Sequence, residues 1–318
     1  MRVLHGWGRF GGVTDLAPHE LRVLAAVDQE RSFTAAAARL DLTQSAVSHT
    51  VRVCERKLGA VVFERGRYGA RPTAAGERVV AHARQILRLL ESMGAEARAA
   101  GREEPAALSG PLRIAAFRSA AAHLLPPVLE RLTARHPGLT PQVRIVREID
   151  RGTAGEVADG RADLAIATLS EGSVTPPGLL VSELYRETYA LAHPVGHPDP
   201  RRLPLIDWQE NCGSYTRRWW AEQDWLPPAT VTAEDDSVVL SMVAQGMGMA
   251  VAPELTLAGA PAGIAVTDLG PHPPTRGIGY VTTPALAGTR AVRELVRELR
   301  AVRRERPPVP DRSGEPVR

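Results

Sequence analysis

Between residues 18 and 58 apolar side chains recur at helical spacing in three separate runs, each bounded by capping or turn residues. Pro18 suits a first turn, and the pattern predicts a helix to about Glu30 with Leu21, Leu24, Ala25 and Val27 on its inner side. Ser32 is placed to cap a short helix over Thr34 to Leu40, whose run of alanines lets neighbouring helices approach closely. After the turn DLT, Thr43 caps a third helix and Gly59 stops it. Along that helix Val47, Val51, Cys54 and Leu58 form one stripe that must face a core. The opposite face carries Ser45, Ser48, His49, Arg52 and Arg56, with Gln44 at the start and Glu55 to one side. Ordinary solvated faces are laced with Glu/Lys pairs, and this one is not. Two helices, a tight turn and a two-faced helix read as a helix-turn-helix.

The pattern then shifts to period two. Val61, Val62 and Phe63 read as a strand, Gly66 to Gly69 as a turn, and Arg71-Pro72 as a return strand. Arg65, Arg67 and Arg71 surround the tip, so the hairpin is a wing whose arginines could follow phosphates or enter a minor groove. Thr73 caps a long helix to about Ala100, in which Val79, Ala83, Ile86, Leu90, Met93 and Ala97 recur at heptad spacing. That seam asks for a partner helix, and a second copy of the chain is the natural one. GREEPAALSGP reads as a hinge.

From Leu112 strand and helix patterns alternate. LRIAAF, QVRIVREI and ADLAIA are predicted strands separated by a helix to about Ala134, with Leu125, Val128, Leu129 and Leu132 inward, and by the short helix TAGEVADG. This order implies a parallel α/β sheet. LLVSELY, ETYALAH, AVAP and TRGIGYVT add strands. One further helix is capped by Asp235 or Asp236, with Val238, Val239, Met242 and Val243 inward and Gly246 at its end; another is centred on Val292, Leu295, Val296 and Leu299. The expected division is an extension at 1–12, a winged helix-turn-helix at 13–72, a linker helix at 73–102, a hinge at 103–111, an effector domain at 112–305 and a tail at 306–318. The extension and the tail are expected to be disordered.

Composition narrows the class. The 318 residues are 44% hydrophobic and 24% charged, as in globular proteins. No apolar run approaches the ~20 residues that span a bilayer. The start lacks the long apolar stretch of a secretory signal, so a cytoplasmic location is expected. Cys54 and Cys212 give neither a disulfide framework nor a metal site. Net charge is +3, unevenly placed: Arg39 to Arg78 holds eight basic and four acidic residues, whereas from Gly101 onward 24 basic face 26 acidic. A polyanion partner is therefore expected for the first module alone. Gln44, Ser45, Ser48 and His49 lie on the helix half that enters a major groove, where such side chains reach base donors and acceptors.

The joint spacing of SFTAAAARL, TQSAVS, LG, VFER and PTAAG resembles the winged helix-turn-helix of LysR-type transcriptional regulators. The later motifs LLPPVLERLTARHPG, DGRADLAIA, HPVGHP and VAQGMGMAVAP resemble, more loosely, their effector domain. The resemblance spans roughly Leu16 to Arg304. It implies two Rossmann-like lobes, similar to periplasmic solute-binding proteins, behind an α-rich winged helix-turn-helix and a long linker helix. It also implies sequence-specific binding of double-stranded DNA, a homodimer or homotetramer, a small-molecule effector, RNA polymerase as a further partner, and neither catalysis nor a cofactor. One lobe would hold 112–187 and 265–304, the other 188–264, with crossings near Ala190 and Ala262. Thr43, Gln44, Ser45, Ser48, His49, Arg52, Arg65, Arg67 and Thr73 would meet DNA. His49 stands where many relatives carry Arg, which exchanges a bidentate guanine contact for a shorter ring.

Ligands of such sheets sit at strand carboxyl ends. That places Phe117, Arg118, Ser119, Ala120 and Thr168 in one lobe and Ser214, Thr216, Gly246, Met247 and Gly248 in the other as candidate effector contacts. Arg118 and Ser119 would suit a carboxylate, and Phe117 and Met247 an apolar body. Trp208, Trp219, Trp220 and Trp225 read as core rather than a ligand cage. The alternatives are an enzyme or solute-binding domain fused to a helix-turn-helix, or a nonspecific DNA-binding protein. Against the first stands the lack of GxSxG, HExxH, P-loop and dinucleotide fingerprints, with Asp163 opening a strand alone.

Overall fold

The structure is a computed structural model that describes residues 15–66, 69–100, 108–169, 177–211 and 214–305. The chain divides into two compact units, 1–91 and 92–318. The predicted extension and tail, and residues 103–107 of the predicted hinge, lie outside the described residues.

The first unit packs α1 (Pro18–Glu30), α2 (Phe33–Leu40) and α3 (Gln44–Leu58) around Leu24, Val27, Ala36, Val47, Val51 and Cys54. Ser32 and Thr43 cap α2 and α3 by accepting the Ala35 and Ala46 N–H groups. The hairpin follows as β1 (Phe63–Gly66) and β2 (Gly69–Pro72), paired antiparallel. Its first strand starts two residues later than the alternation suggested: Val61 is exposed, while Val62 is buried. The Glu55 carboxylate explains the late start, because it accepts both the Val62 and Phe63 N–H groups, at 2.9 and 3.2 Å. Ala70 donates to the Arg31 carbonyl at 2.8 Å, which docks the wing on the α1–α2 turn. Gly69 is required there: its φ is +92°, and a Cβ would stand 2.3 Å from the Arg31 oxygen.

Helix α4 (Ala74–Ala100) leaves the hairpin through Thr73, whose hydroxyl donates to the Val61 carbonyl and accepts from the Gly76 N–H. Its first turns lie on the winged core through Val79, Val80 and Ala83. Arg84 then reaches Asp28 on α1 at 2.5 Å.

The second unit begins with β3 (Ser109–Ala116), a π-helical turn (Ala120–Leu124) and α5 (Leu125–Arg135). Next come β4 (Gly138–Ile145), α6 (Gly152–Ala158) and β5 (Leu164–Leu169). These three strands are parallel, in the order β4-β3-β5. This is the parallel α/β arrangement expected of these segments; the strands that join them are antiparallel. The segments LLVSELY and ETYALAH form one unbroken strand, β6 (Leu180–Pro194), since no turn residue separates them. Then follow β7 (Leu205–Trp208), α7 (Ser214–Ala221), β8 (Ala229–Ala233), α8 (Asp236–Ala244), β9 (Ala250–Pro253) and α9 (Glu254–Leu257). The chain closes with β10 (Ile264–Thr267), β11 (Thr275–Thr282), α10 (Pro284–Ala287) and α11 (Arg290–Glu305).

Strand β6 links the lobes. Its residues 180–188 pair antiparallel with β11, which also pairs antiparallel with β5, and its residues 189–194 pair with β9 and β10. The first crossing therefore lies at Thr188–Tyr189. The return falls after Thr267, later than the expected Ala262, because β10 still pairs with Leu191–Pro194. Strand β4 is an edge that leaves Val143 and Ile145 exposed, and it ends before the predicted Ile149. In α8 Asp235 is the cap, and Val239, Leu240 and Val243 face inward, whereas Val238 is exposed. Trp208 and Trp219 are buried in the second lobe's clusters, with Trp220 and Trp225 packed beside Trp219. No helix among the described residues is long and apolar enough to cross a membrane.

The tightest backbone approach in the first unit is at Gly76, where a Cβ would lie 2.0 Å from the Val62 carbonyl oxygen. Gly76→Ala should therefore cost about 1–3 kcal/mol by forcing hairpin and helix apart. Chemical denaturation followed by the loss of helix signal checks this.

Candidate nucleic-acid interface and ligand site

Helix α3 is held from beneath and behind. Val47, Val51 and Cys54 fill the core below it, and burial pushes the Cys54 thiol up to about 11, leaving it an inert apolar group. At its C-terminal end Lys57 donates to both Glu20 oxygens, at 2.8 and 2.9 Å, and Glu20 also accepts the Ala17 N–H. The Lys57 hydrogen bond, opposed by burial, holds the Glu20 carboxyl below the usual carboxylate range. Those anchors leave the other face outward: Thr43, Gln44, Ser45, His49 and Arg52 are all exposed.

Ser48 departs from the expectation. It is buried, next to the core residue Val47, and its hydroxyl lies 3.5 Å from Arg52 Nη2. It can steady Arg52 but does not present itself. The Thr43 hydroxyl accepts the Ala46 N–H and meets the Ser45 hydroxyl at 2.9 Å, so the cap is coupled to the first turn of the exposed face. Thr73 is half-buried and occupied in capping α4. Arg67 and the side chain of Arg65 lie outside the described residues. A shallow depression beside the exposed face is lined by His49, Arg52, Arg56, Gly59 and Val61. The face is thus a rigid, cation-flanked strip of short hydrogen-bonding side chains, which can meet base edges between phosphates.

On α4 the predicted seam divides in two. Ala83 is buried and Val79 half-buried against the winged core, because the helix must first pack on its own unit. Farther along, Ile86, Leu89 and Met93 are exposed at 45%, 36% and 62%, with Ala97 exposed and Leu90 half-buried. Leu89 was not in the heptad reading; its exposure beside Ile86 and Met93 adds it to the stripe.

At the junction of the lobes Phe117, Arg118, Ser119 and Ala120 follow β3, as expected, but only Arg118 is more than marginally exposed. Its guanidinium pairs with Asp236 at the start of α8 and lies 3.8 Å from Asp235. The carboxylate expected for Arg118 is thus supplied by the protein itself. Asp236 also accepts the Thr256 hydroxyl at 2.9 Å. The Ser237 hydroxyl, ahead of two backbone N–H groups and Arg118, keeps Asp235 below the ordinary carboxylate range. A second bridge joins the lobes where Arg147 donates to Glu210 at 3.0 Å and to Gln209 at 2.8 Å.

Thr168 ends β5 near this junction, and its N–H donates to the Glu148 carboxylate at 3.4 Å. Thr216 is buried on α7, and the side chain of Ser214 lies outside the described residues. Gly246, Met247 and Gly248 do not join the group. They follow the far end of α8, where Met247 is exposed beside Val238 and Met242, and a Cβ on Gly248 would lie 2.4 Å from the Pro204 oxygen. Sequence reading missed Arg276, Glu187 and Glu148, which gather at this junction from three distant strands or strand ends. Asp163 accepts the Arg113 N–H and is structural.

Residues 18–77 match the family model described as a bacterial regulatory helix-turn-helix protein of the lysR family. Residues 105–304 match the LysR substrate binding domain. Among known proteins the chain is similar to the probable HTH-type transcriptional regulator LrrA of Synechococcus elongatus, 36% identical over 271 residues that cover 82% of this chain and 88% of that one. Among solved structures it is similar to ArgP from Mycobacterium tuberculosis, with TM-score 0.69, 21% identity and coverage of 91% and 98%. It also resembles full-length LysG from Corynebacterium glutamicum with bound effector Arg, with TM-score 0.64, 21% identity and coverage of 92% and 100%.

The Glu20–Lys57 pair makes a pH prediction. A carboxylate lowered in the folded state adds stability that is complete above its unfolded pKa and is lost as pH falls through the folded value. Glu20→Gln should cost about 1–2 kcal/mol near neutrality, discounted for the exposure of Lys57, and much less at low pH. Denaturant midpoints of both proteins across an acid series would show the gap closing.

Proposed function

The chain belongs to the LysR family of bacterial transcriptional regulators, and from that premise we propose that it reads an operator with α3 and answers to a small molecule held between its two lobes. The observation that carries the DNA half is the outward strip of Gln44, Ser45, His49 and Arg52 on a helix anchored on its other side. Base edges in a major groove offer partners to Gln, Ser and His, while Arg52 and the wing arginines Arg65 and Arg67 suit phosphates or guanine.

Two copies assemble through the exposed stripe of Ile86, Leu89, Leu90, Met93 and Ala97. Isolated apolar side chains on a surface are unremarkable, but a stripe at heptad spacing is a coiled-coil seam. Paired heads on two half-sites gain affinity through effective concentration. A dimer, or a tetramer built from dimers, acts in the cytoplasm with RNA polymerase as the downstream partner. The effector reading is supported by the C-terminal family match and by the junction where the polar groups of Arg118, Asp236 and Thr168 lie near the apolar Phe117. LysG, a structural relative, has been solved with an effector bound.

Selection of bound sites from random DNA tests the first half. Gln44→Ala should then cost about 1–3 kcal/mol on the selected site and relax base choice at one position. Equal losses on selected and random duplexes would overturn the assignment. Ile86→Glu with Met93→Glu should shift sedimentation from dimer toward monomer and weaken binding to paired half-sites far more than to a single half-site.

A further inference from the structure

Three side chains converge where β3 and β5 end and β11 begins. Ile278 on β11 pairs with Thr168 on β5, and Arg276, two residues earlier, shares that face of the sheet. The Arg276 guanidinium lies over the ring of Phe117, 5.1 Å from its centroid. Its Nε donates to Glu187 on β6 at 2.7 Å. The other Glu187 oxygen accepts the Leu255 N–H, also at 2.7 Å, so that carboxylate is used on both sides. Burial alone would drive the guanidinium toward losing its proton, but Glu187 and the nearby tyrosines more than offset this, and it stays charged.

The hydrogen-bond ledger at this place is one-sided. Arg276 Nη2 and Thr168 Oγ1 are buried, and neither has a partner among the described residues. A guanidinium N–H can only donate, and a threonine hydroxyl beside it can donate as well. The neighbouring carboxylates already accept hydrogen bonds from within the protein. Glu148 accepts the Thr153 hydroxyl at 2.6 Å and the Thr168 N–H. Asp236 is occupied by Arg118 and Thr256. The two groups left without partners among the described residues, Arg276 Nη2 and Thr168 Oγ1, can both donate, so what they call for is an acceptor. Buried donors without partners are rare in folded proteins and call for an explanation.

We propose that the effector is a carboxylate on an apolar body, its oxygens received by Arg276 Nη2 and Thr168 Oγ1 and its body set beside Phe117. This rests on the reading of the C-terminal unit as an effector-binding domain, and it moves the anion from Arg118, which is spent on Asp236, to Arg276. A carboxylate answers two converging donors better than a single carbonyl oxygen, because each bond to it is charge-assisted and both of its oxygens accept.

The test uses the full-length protein and three probes of one shape: phenylacetate, phenylacetamide and phenethylamine. Ligand-observed NMR titration should show phenylacetate binding, the amide about tenfold weaker and the amine weaker still. Thr168→Val, which keeps shape and removes the hydroxyl, should weaken phenylacetate about fivefold with an unchanged melting temperature. Arg276→Lys keeps a cation for Glu187 but withdraws the second donor, and should weaken it about tenfold. If that variant fails to fold, Thr168→Val alone decides. The proposal is overturned if the amide or amine binds as well as phenylacetate, if none of the three binds, or if phenylacetate is indifferent to Thr168→Val. Operator binding by the same preparation separates the two claims: a chain that binds its selected site but none of the probes keeps the regulator reading and loses this one.

Discussion

A guanidinium can leave water only beside an anion, and this chain, whose cations are all arginine except Lys57, is organised around that requirement. Asp28 receives Arg84 and Arg31, fixing α4 on α1. Glu298, buried on α11, takes Arg131 and Arg135 from α5. Glu156 and Asp159 hold Arg161, and Glu187 holds Arg276 across two strands of the central sheet. None of these pairs is strong evidence for stability by itself, because desolvation consumes much of the Coulomb gain. Their effect is geometric: the long-range ones, Asp28 to Arg84, Glu298 to Arg131 and Arg135, and Glu187 to Arg276, tie elements far apart in sequence into one arrangement, since breaking such a pair leaves a buried charge alone.

The local parts of this architecture were legible from the residues. Pro18, Ser32, Thr43 and Gly59 mark helix boundaries by chemistry that acts within one turn, and the structure places them so. The stripe of Val47, Val51 and Cys54 named the buried face of α3 correctly. Ser48 was misread because periodicity divides a helix into two faces and is silent about positions at the margin. The late start of β1 was hidden for a different reason: a single carboxylate, Glu55, takes two N–H groups that would otherwise have sought a strand partner. The continuous β6 looked like two strands because its period-two pattern changes which face is buried as it passes between lobes. The pairing of Arg276 with Glu187 spans 89 residues, and no local pattern signals it.

The same distinction explains why the junction of the lobes was the least readable part. Hydrogen-bonding capacity can be listed from composition, but vacancy cannot. Arg118, beside Ser119 at the end of β3, looked available in sequence and is committed to Asp236; Arg276, inside a strand, was not singled out and retains a donor without a partner among the described residues. What matters at such a site is the difference between groups present and groups already satisfied, and only the assembled fold performs that subtraction.

That difference also sets what an effector has to achieve. The bridges joining the lobes, Arg118 to Asp236 and Arg147 to Glu210, are partly exposed on the arginine side, at 31% and 41%. Water reaches the arginine of each pair and screens it, so each counts for less than a fully buried bridge would. Filling a buried donor that otherwise has no partner is worth about 1–3 kcal/mol. A ligand that satisfies two donors at the junction in one lobe arrangement and not in another would therefore favour the first. Its differential affinity is then of the size typical of allosteric coupling, about 1–3 kcal/mol. Bridges that water reaches, around a centre with donors left over, would leave the lobe arrangement open to a ligand's differential affinity; fully buried bridges around a satisfied centre would have made the junction a rigid core.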